Sequence, residues 1–171
     1  MANVNAPFGL KPIENINGGL PHLVPCKKDA SANIIYRYAP VIMSADGNID
    51  PATDATVPVY GVSVEYGATA TAETLMIAPA FNHVFEVQCN TSATIGQTNC
   101  GNNASLVFTA GSTTTKLSKA QIIASSIATT NNIVRIQRII DRPDNTTGSF
   151  SKVAVVFNLH RWPSGAGQVG I

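Results

Sequence analysis

Two stretches near the end of the chain, Asn132-Ile-Val-Arg-Ile-Gln-Arg-Ile-Ile140 and Lys152-Val-Ala-Val-Val-Phe-Asn-Leu-His160, decide the fold class. In the second, Val153, Val155, Phe157 and Leu159 fall on one face at period two, the signature of a half-buried strand. Between the stretches stands Arg142-Pro-Asp-Asn-Thr-Thr-Gly148, which is turn chemistry. Two strands joined by a turn are the local unit of an antiparallel sheet, and the same pattern recurs upstream. Residues 57–66 place Tyr60, Val62, Val64 and Tyr66 on one face. Residues 73–78 and 83–89 predict further strands, with Phe85, Val87 and Cys89 opposing Val84, Glu86 and Gln88. Residues 33–43 predict strands interrupted at Pro40, followed by a tight turn at Asp46-Gly47.

Composition agrees. Asn, Thr and Ser make up about a quarter of the chain, with 13 Gly and 10 Pro. Such residues favour strands and turns over surface helices. Residues 117–128 are the best helix candidate, since Ser118 and Gln121 have capping-box spacing, although the length fits a strand equally. The expected fold is all-β: a single compact β-sandwich or β-barrel domain with extended N- and C-terminal arms and at most one short helix. Its expected parts are an extended arm over 1–25, a β-rich domain over 26–161 and a tail over 162–171. Pro7, Pro12, Pro21, Pro25 and Gly18-Gly19 make the first segment read as an arm outside any self-contained core. Phe8, Leu10, Ile13 and Ile16 on it need something to lie on.

The 171 residues carry 11 Lys+Arg against 10 Asp+Glu, a formal net charge of +1. That balance argues against a broad nucleic-acid-binding surface. No apolar run approaches the ~20 residues of a membrane-spanning helix. No basic segment followed by an apolar core opens the chain, so the reading expects no signal peptide and folding in a cytoplasm. Cys26, Cys89 and Cys100 form no disulfide framework and are expected as reduced thiols.

The tempting motifs fail on their own chemistry. Gly165-Ala-Gly-Gln-Val-Gly170 matches a dinucleotide fingerprint but has no room for the helix that would hold a pyrophosphate. Asp46-Gly-Asn-Ile-Asp50 resembles the start of a calcium loop but has Pro51 and Val57 where Gly and Glu are required. His22, His83 and His160 have no metal-ligand spacing. Asn90-Thr-Ser, Asn103-Ala-Ser and Asn145-Thr-Thr fit the glycosylation pattern through composition alone. Arg135 and Arg138 are expected on opposite faces of a strand, which argues against a phosphate-binding stripe. No catalytic constellation, metal site or cofactor site is expected, and the chain reads as a non-enzyme.

A set of ordered stretches carries a resemblance: Asn5-Ala-Pro-Phe-Gly-Leu-Lys-Pro12, Tyr36-Arg37 with Pro40-Val41 and Asp46-Gly47, Tyr60-Gly-Val62, Phe85-Glu-Val-Gln88, Arg142-Pro-Asp-Asn145 and Lys152 to His160. Together they are similar to the head decoration, or cement, proteins of tailed bacteriophages, a family of small virion structural proteins. Residues 96–131 fall outside the match. The resemblance implies a β-rich homotrimer on the outer surface of an expanded capsid, bridging neighbouring capsomers, made in the host bacterial cytoplasm. Its implied partners are the major capsid protein and further copies of itself, with no nucleic acid, membrane or cofactor. The expected interface residues are Pro7, Phe8, Gly9, Leu10 and Pro12 on the arm and Trp162 at the tail. Two alternatives stand beside this reading. One is a head-fibre or tail component that uses the loop over 90–115 to bind a host. The other is a small-ligand-binding β-barrel with His83, Glu86 and His160 as its polar groups.

Overall fold

The computed structural model describes residues 3–31, 33–90, 95–130 and 132–162. Among them there is no α-helix; two 3-10 turns at Gln97–Asn99 and Ala124–Ser126 are the only helical pieces. Twelve strands carry the fold: β1 (Lys11–Asn15), β2 (Val24–Lys28), β3 (Pro40–Met43), β4 (Ile49–Pro51), β5 (Gly61–Ser63), β6 (Glu73–Pro79), β7 (His83–Gln88), β8 (Asn103–Ala104), β9 (Leu106–Val107), β10 (Gln121–Ile122), β11 (Val134–Ile139) and β12 (Lys152–Phe157). The expected all-β fold is present, as a closed five-stranded barrel with additional sheets.

Strands β2-β4-β3-β5-β6 close into a barrel. Cys26, Ile35, Val41, Ile49, Leu75 and Ile77 form its core. Lys28 is buried with them, its Nζ donating to the carbonyls of Asp29 (3.2 Å) and Thr71 (3.1 Å). Gly61 is required in the wall, because a Cβ there would stand 2.5 Å from a methyl of Ile77. Pro40 does not interrupt a strand; it opens β3, a position where the missing N–H costs no ladder bond.

A five-stranded antiparallel sheet, β1-β7-β12-β11-β8, packs beside the barrel. Between them lies the larger core. Phe85, Val87, Val134, Ile136, Val153, Val155 and Phe157 come from the sheet, and Val62 and Ala78 from the barrel wall. Leu106 and Ile122, from the β9–β10 pair, join the same cluster. Cys89 is buried in it and burial pushes its thiol up to about 12, while all three cysteines are free.

Pro40 is one corrected expectation; two more follow, after one that the sequence left open between helix and strand. The segment 117–128 is not a helix: Gln121 and Ile122 pair with Val107 and Leu106, and Ser118 Oγ accepts the Ala120 N–H in a local turn instead of capping a helix. Arg135 and Arg138 are not on opposite faces. A bulge between Ile136 and Arg138 inserts one residue, so the two arginines face Val156 and Ala154 on the same side of β12. Arg138 is paired there with Glu14 at 2.8 Å, and Arg135 Nε donates to Gly101 O at 3.0 Å.

The third correction concerns the N-terminal segment. It carries no regular secondary structure from Asn3 to Leu10, but it is not outside the core. Leu10 has no solvent exposure and belongs to the main cluster, and β1 is an edge strand of the sheet. The Pro residues misled because they argue against central strands only; Pro12 sits on an edge, where it blunts further pairing. The dinucleotide-like motif and the tail beyond Trp162 lie outside the described residues. Leu10→Ala is therefore expected to lower the unfolding free energy by about 3 kcal/mol, read as a shifted urea midpoint at constant slope.

A strapped groove as the candidate functional site

β7 alternates as the sequence predicts, yet all six of its residues are buried. His83, Phe85 and Val87 face the core; Val84, Glu86 and Gln88 face the other side of the sheet, which in an antiparallel sheet is commonly wet. Here the N-terminal segment covers it. Gln88 is fully buried, and its Nε2 donates to Val4 O (2.8 Å) and Phe150 O (3.2 Å) while its Oε1 accepts the Ala6 N–H (3.0 Å). The side-chain amide thus stands in for a neighbouring strand. Asn3 ties down the start of the strap, its Nδ2 donating to Thr146 O (2.7 Å) and Ser149 O (2.9 Å) and its Oδ1 accepting the Thr146 N–H (2.9 Å). Leu10 N–H closes the other end on Tyr38 O at 2.9 Å.

That last approach fixes two unusual backbones. Gly9 has φ +84°, and a Cβ on it would lie 2.4 Å from Tyr38 O and 2.6 Å from Ser118 Cβ. Tyr38 itself is left-handed at φ 65°, a conformation that a non-glycine residue holds only under tertiary constraint.

Beside the strap lies a groove of about 470 Å³, lined by Val4, Ala6 and Phe8 of the strap, by Lys11 of β1, and by Tyr38, Glu86, Arg142, Asp144 and Lys152. The turn after β11 aims the arginine. Asn145 Nδ2 donates to Ile140 O (2.7 Å) and Lys152 O (2.8 Å), its Oδ1 accepts the Lys152 N–H (2.7 Å), and its own N–H bonds Arg142 O (2.9 Å). Arg142 then grips buried Glu86 with both terminal nitrogens, the Nη1 contact being 3.2 Å. Its Nε lies 3.3 Å from Asp144 Oδ1, and Lys152 Nζ donates to Asp144 Oδ2. The Lys152 hydrogen bond is the main reason that the Asp144 carboxyl titrates below its ordinary range. Lys11 stands opposite Glu86 in register. Both carboxylates are held by cations, so neither is placed as a free base. The groove offers a polar floor, an apolar wall and a lysine to a bound segment. Among the described residues no group of three or more His, Cys, Asp or Glu could hold a metal ion.

Of the residues expected at an interface, Phe8 lines the groove and Pro7 lies in the strap beside it; Gly9 and Leu10 are buried and Pro12 is in β1. Trp162 is not free either. It stacks on Tyr60 at 4.7 Å and against Phe81 at 4.9 Å, and its Nε1 donates to Tyr60 O at 2.6 Å. The Tyr60 hydroxyl beneath is pushed up to about 12, by burial first and then by its neighbour Cys26. The polar trio His83, Glu86 and His160 does not converge. Glu86 and His83 point to opposite faces of β7, and His160 bridges to Val59, where burial lowers its pKa. Asn3, Tyr38, Gln88 and Arg142 were not legible as site residues; the one sequence signal was a pair of polar residues on a strand whose cover could not be named.

No protein-family model, curated protein or solved structure matches the chain.

The ionic floor gives a test. Arg142→Met strands a buried carboxylate and is expected to cost about 2 kcal/mol, reduced from the fully buried case because Arg142 is partly exposed. Glu86→Gln with Arg142→Met should cost less than the two changes added, by at least about 1 kcal/mol in a double-mutant cycle of urea unfolding.

Proposed function

We propose that this protein is a structural component of a tailed-phage virion that decorates and cements the outer surface of the expanded capsid as a trimer. The observation that supports this most is where the resembling stretches meet. Separate in sequence, most of them come together around the strapped groove. Phe8 and Lys11 line it with Glu86, Arg142 and Lys152. Asn145 and Gln88 hold its walls in place. Stretches that meet at one surface suit a contact with a partner.

The physical logic of cementing suits such a surface. Packed genome loads the joints between capsomers. A clamp with several contacts gains by multivalency, since after the first contact the others are intramolecular. A trimer repeats each contact around one axis. A protein that binds the assembled shell and not free subunits stabilises the shell by mass action. The exposed part of the strap and the groove beside it are the proposed contact with the major capsid protein. Removing residues 2–12 would take Leu10 out of the core, so the contact is better tested at the surface, with Phe8→Ala and Lys11→Glu.

The test is co-sedimentation of the purified protein with expanded, undecorated capsids of the encoding phage, titrated to saturation, with native mass measured in parallel. Saturation at hundreds of copies in multiples of three, a native mass of three 17.9 kDa chains, and at least tenfold weaker binding by Lys11→Glu are expected. Saturation at a few copies would replace this reading with a head-fibre or tail component, and no binding would remove the capsid from it.

A further inference from the structure

The connection from β1 to β2, residues 16–23, joins the sheet to the barrel. It carries two of the most exposed apolar side chains in the described structure, Ile16 at 52% and Leu20 at 89%. Two backbone donors pin it to the β6–β7 turn. Ile16 N–H donates to Asn82 O at 2.8 Å, and His22 N–H donates to the ring Nε2 of His83 at 2.8 Å. The second contact dictates a protonation state. His83 has no solvent exposure, and its Nδ1 lies 2.9 Å from Pro79 O, a group that can only accept. Nδ1 therefore carries the proton and Nε2 is a bare acceptor, so the ring is neutral and fully used.

We propose that His83 is an acid-released latch: neutral, it clamps the β1–β2 connection to the β6–β7 turn through the His22 N–H; protonated, it lets that connection go. An imidazolium has a hydrogen on both nitrogens, so Nε2–H would point at the His22 N–H. Among the described residues no carboxylate faces the ring; the Pro79 carbonyl favours the charged form, but burial outweighs it. His22 is the titratable neighbour, and it acts against a proton on His83. Glu86 and Glu14 are on the opposite face of the sheet, held by Arg142 and Arg138. On the near side the ring meets Phe85 at 6.1 Å and the Pro79 carbonyl. Burial is the leading cause that holds the His83 pKa below its ordinary value. The sign follows: a depressed folded pKa means that the ring's contribution is whole above about pH 6.5 and is lost as pH falls through the folded value.

The experiment is amide hydrogen exchange of the full-length protein between pH 7.5 and 5.0, corrected for the intrinsic rate and read on peptides covering 16–24. Wild type is expected to show opening that rises up to about tenfold per pH unit from about pH 6.5 down to the His83 midpoint, the limit for one proton, and levels off below it. His83→Gln can accept from His22 and donate to Pro79 without titrating, and should flatten the rise. His22→Asn retains the backbone donor and should keep it. An NMR titration of the wild-type His83 ring should give the same midpoint as the amides of 16–24, a comparison that stands even if His83→Gln folds poorly. Constant protection in wild type, an equal rise in His83→Gln, loss of the rise in His22→Asn, or unequal midpoints would each overturn the latch.

Discussion

A strand buried on both faces, carrying a carboxylate and a carboxamide on one of them, is the constraint from which most of this structure follows. Each buried polar group left without a partner costs about 1–3 kcal/mol. Gln88 brings three hydrogen-bonding positions into that environment and Glu86 brings a charge. The strap answers Gln88 with main-chain groups of Val4 and Ala6, and the turn after β11 answers Glu86 with Arg142. These solutions impose their own demands. The strap must be anchored, which Leu10 and Asn3 do, and it must pass close to Tyr38, which only glycine at position 9 permits. The arginine must be aimed, which Asn145 does by bonding carbonyls on both sides of the turn. The N-terminal segment is thus the outer layer of the sheet.

The barrel and the sheet divide a different problem, that of strand edges. Closure removes edges from β2–β6 altogether. The sheet cannot close, and its two edges are treated separately. β1 carries Pro12 and a bulge at Ile13; β8 is two residues long. The large core fits between because the barrel wall offers small or branched side chains outward, Val62 and Ala78, against the bulky Phe85 and Phe157 of the sheet. Those two rings meet edge to face at 5.3 Å, a favourable aromatic geometry.

Much of this was legible where the signal is local. Period-two alternation located β7 and β12, and Asp46-Gly47 marked the β3–β4 turn, where Gly47 takes φ +81°. What was not legible is long-range. Nothing within residues 3–10 says that their partner is Gln88, eighty residues away, so Pro and Gly read as freedom instead of as a fitted cover. The bulge in β11 is invisible for a related reason: it is forced by the register with β12, and it reverses the side to which Arg138 points. Segment 117–128 has helical spacing, but its apolar residues are claimed by β9 and the main core, and tertiary pairing prevails over a weak propensity. The stacking of Trp162 on Tyr60 and Phe81 was not legible either, since those neighbours lie far off in sequence.

The scarcity of charge takes on a different meaning in this light. Several of the few charges are paired within the chain, Glu86 with Arg142, Asp144 with Lys152 and Glu14 with Arg138, while Lys28 is buried in the barrel. Part of the sheet is covered by the chain's own strap. That places a condition on any partner at the groove. A ligand that lifted the strap would uncover Gln88 and pull Leu10 from the core, and would lose more than a peripheral contact returns. A partner must instead add to the strap, against Phe8 and Lys11, and leave its backbone bonds intact. Binding of that kind tightens the fold it rests on, so occupancy of the groove and stability of the sheet rise together.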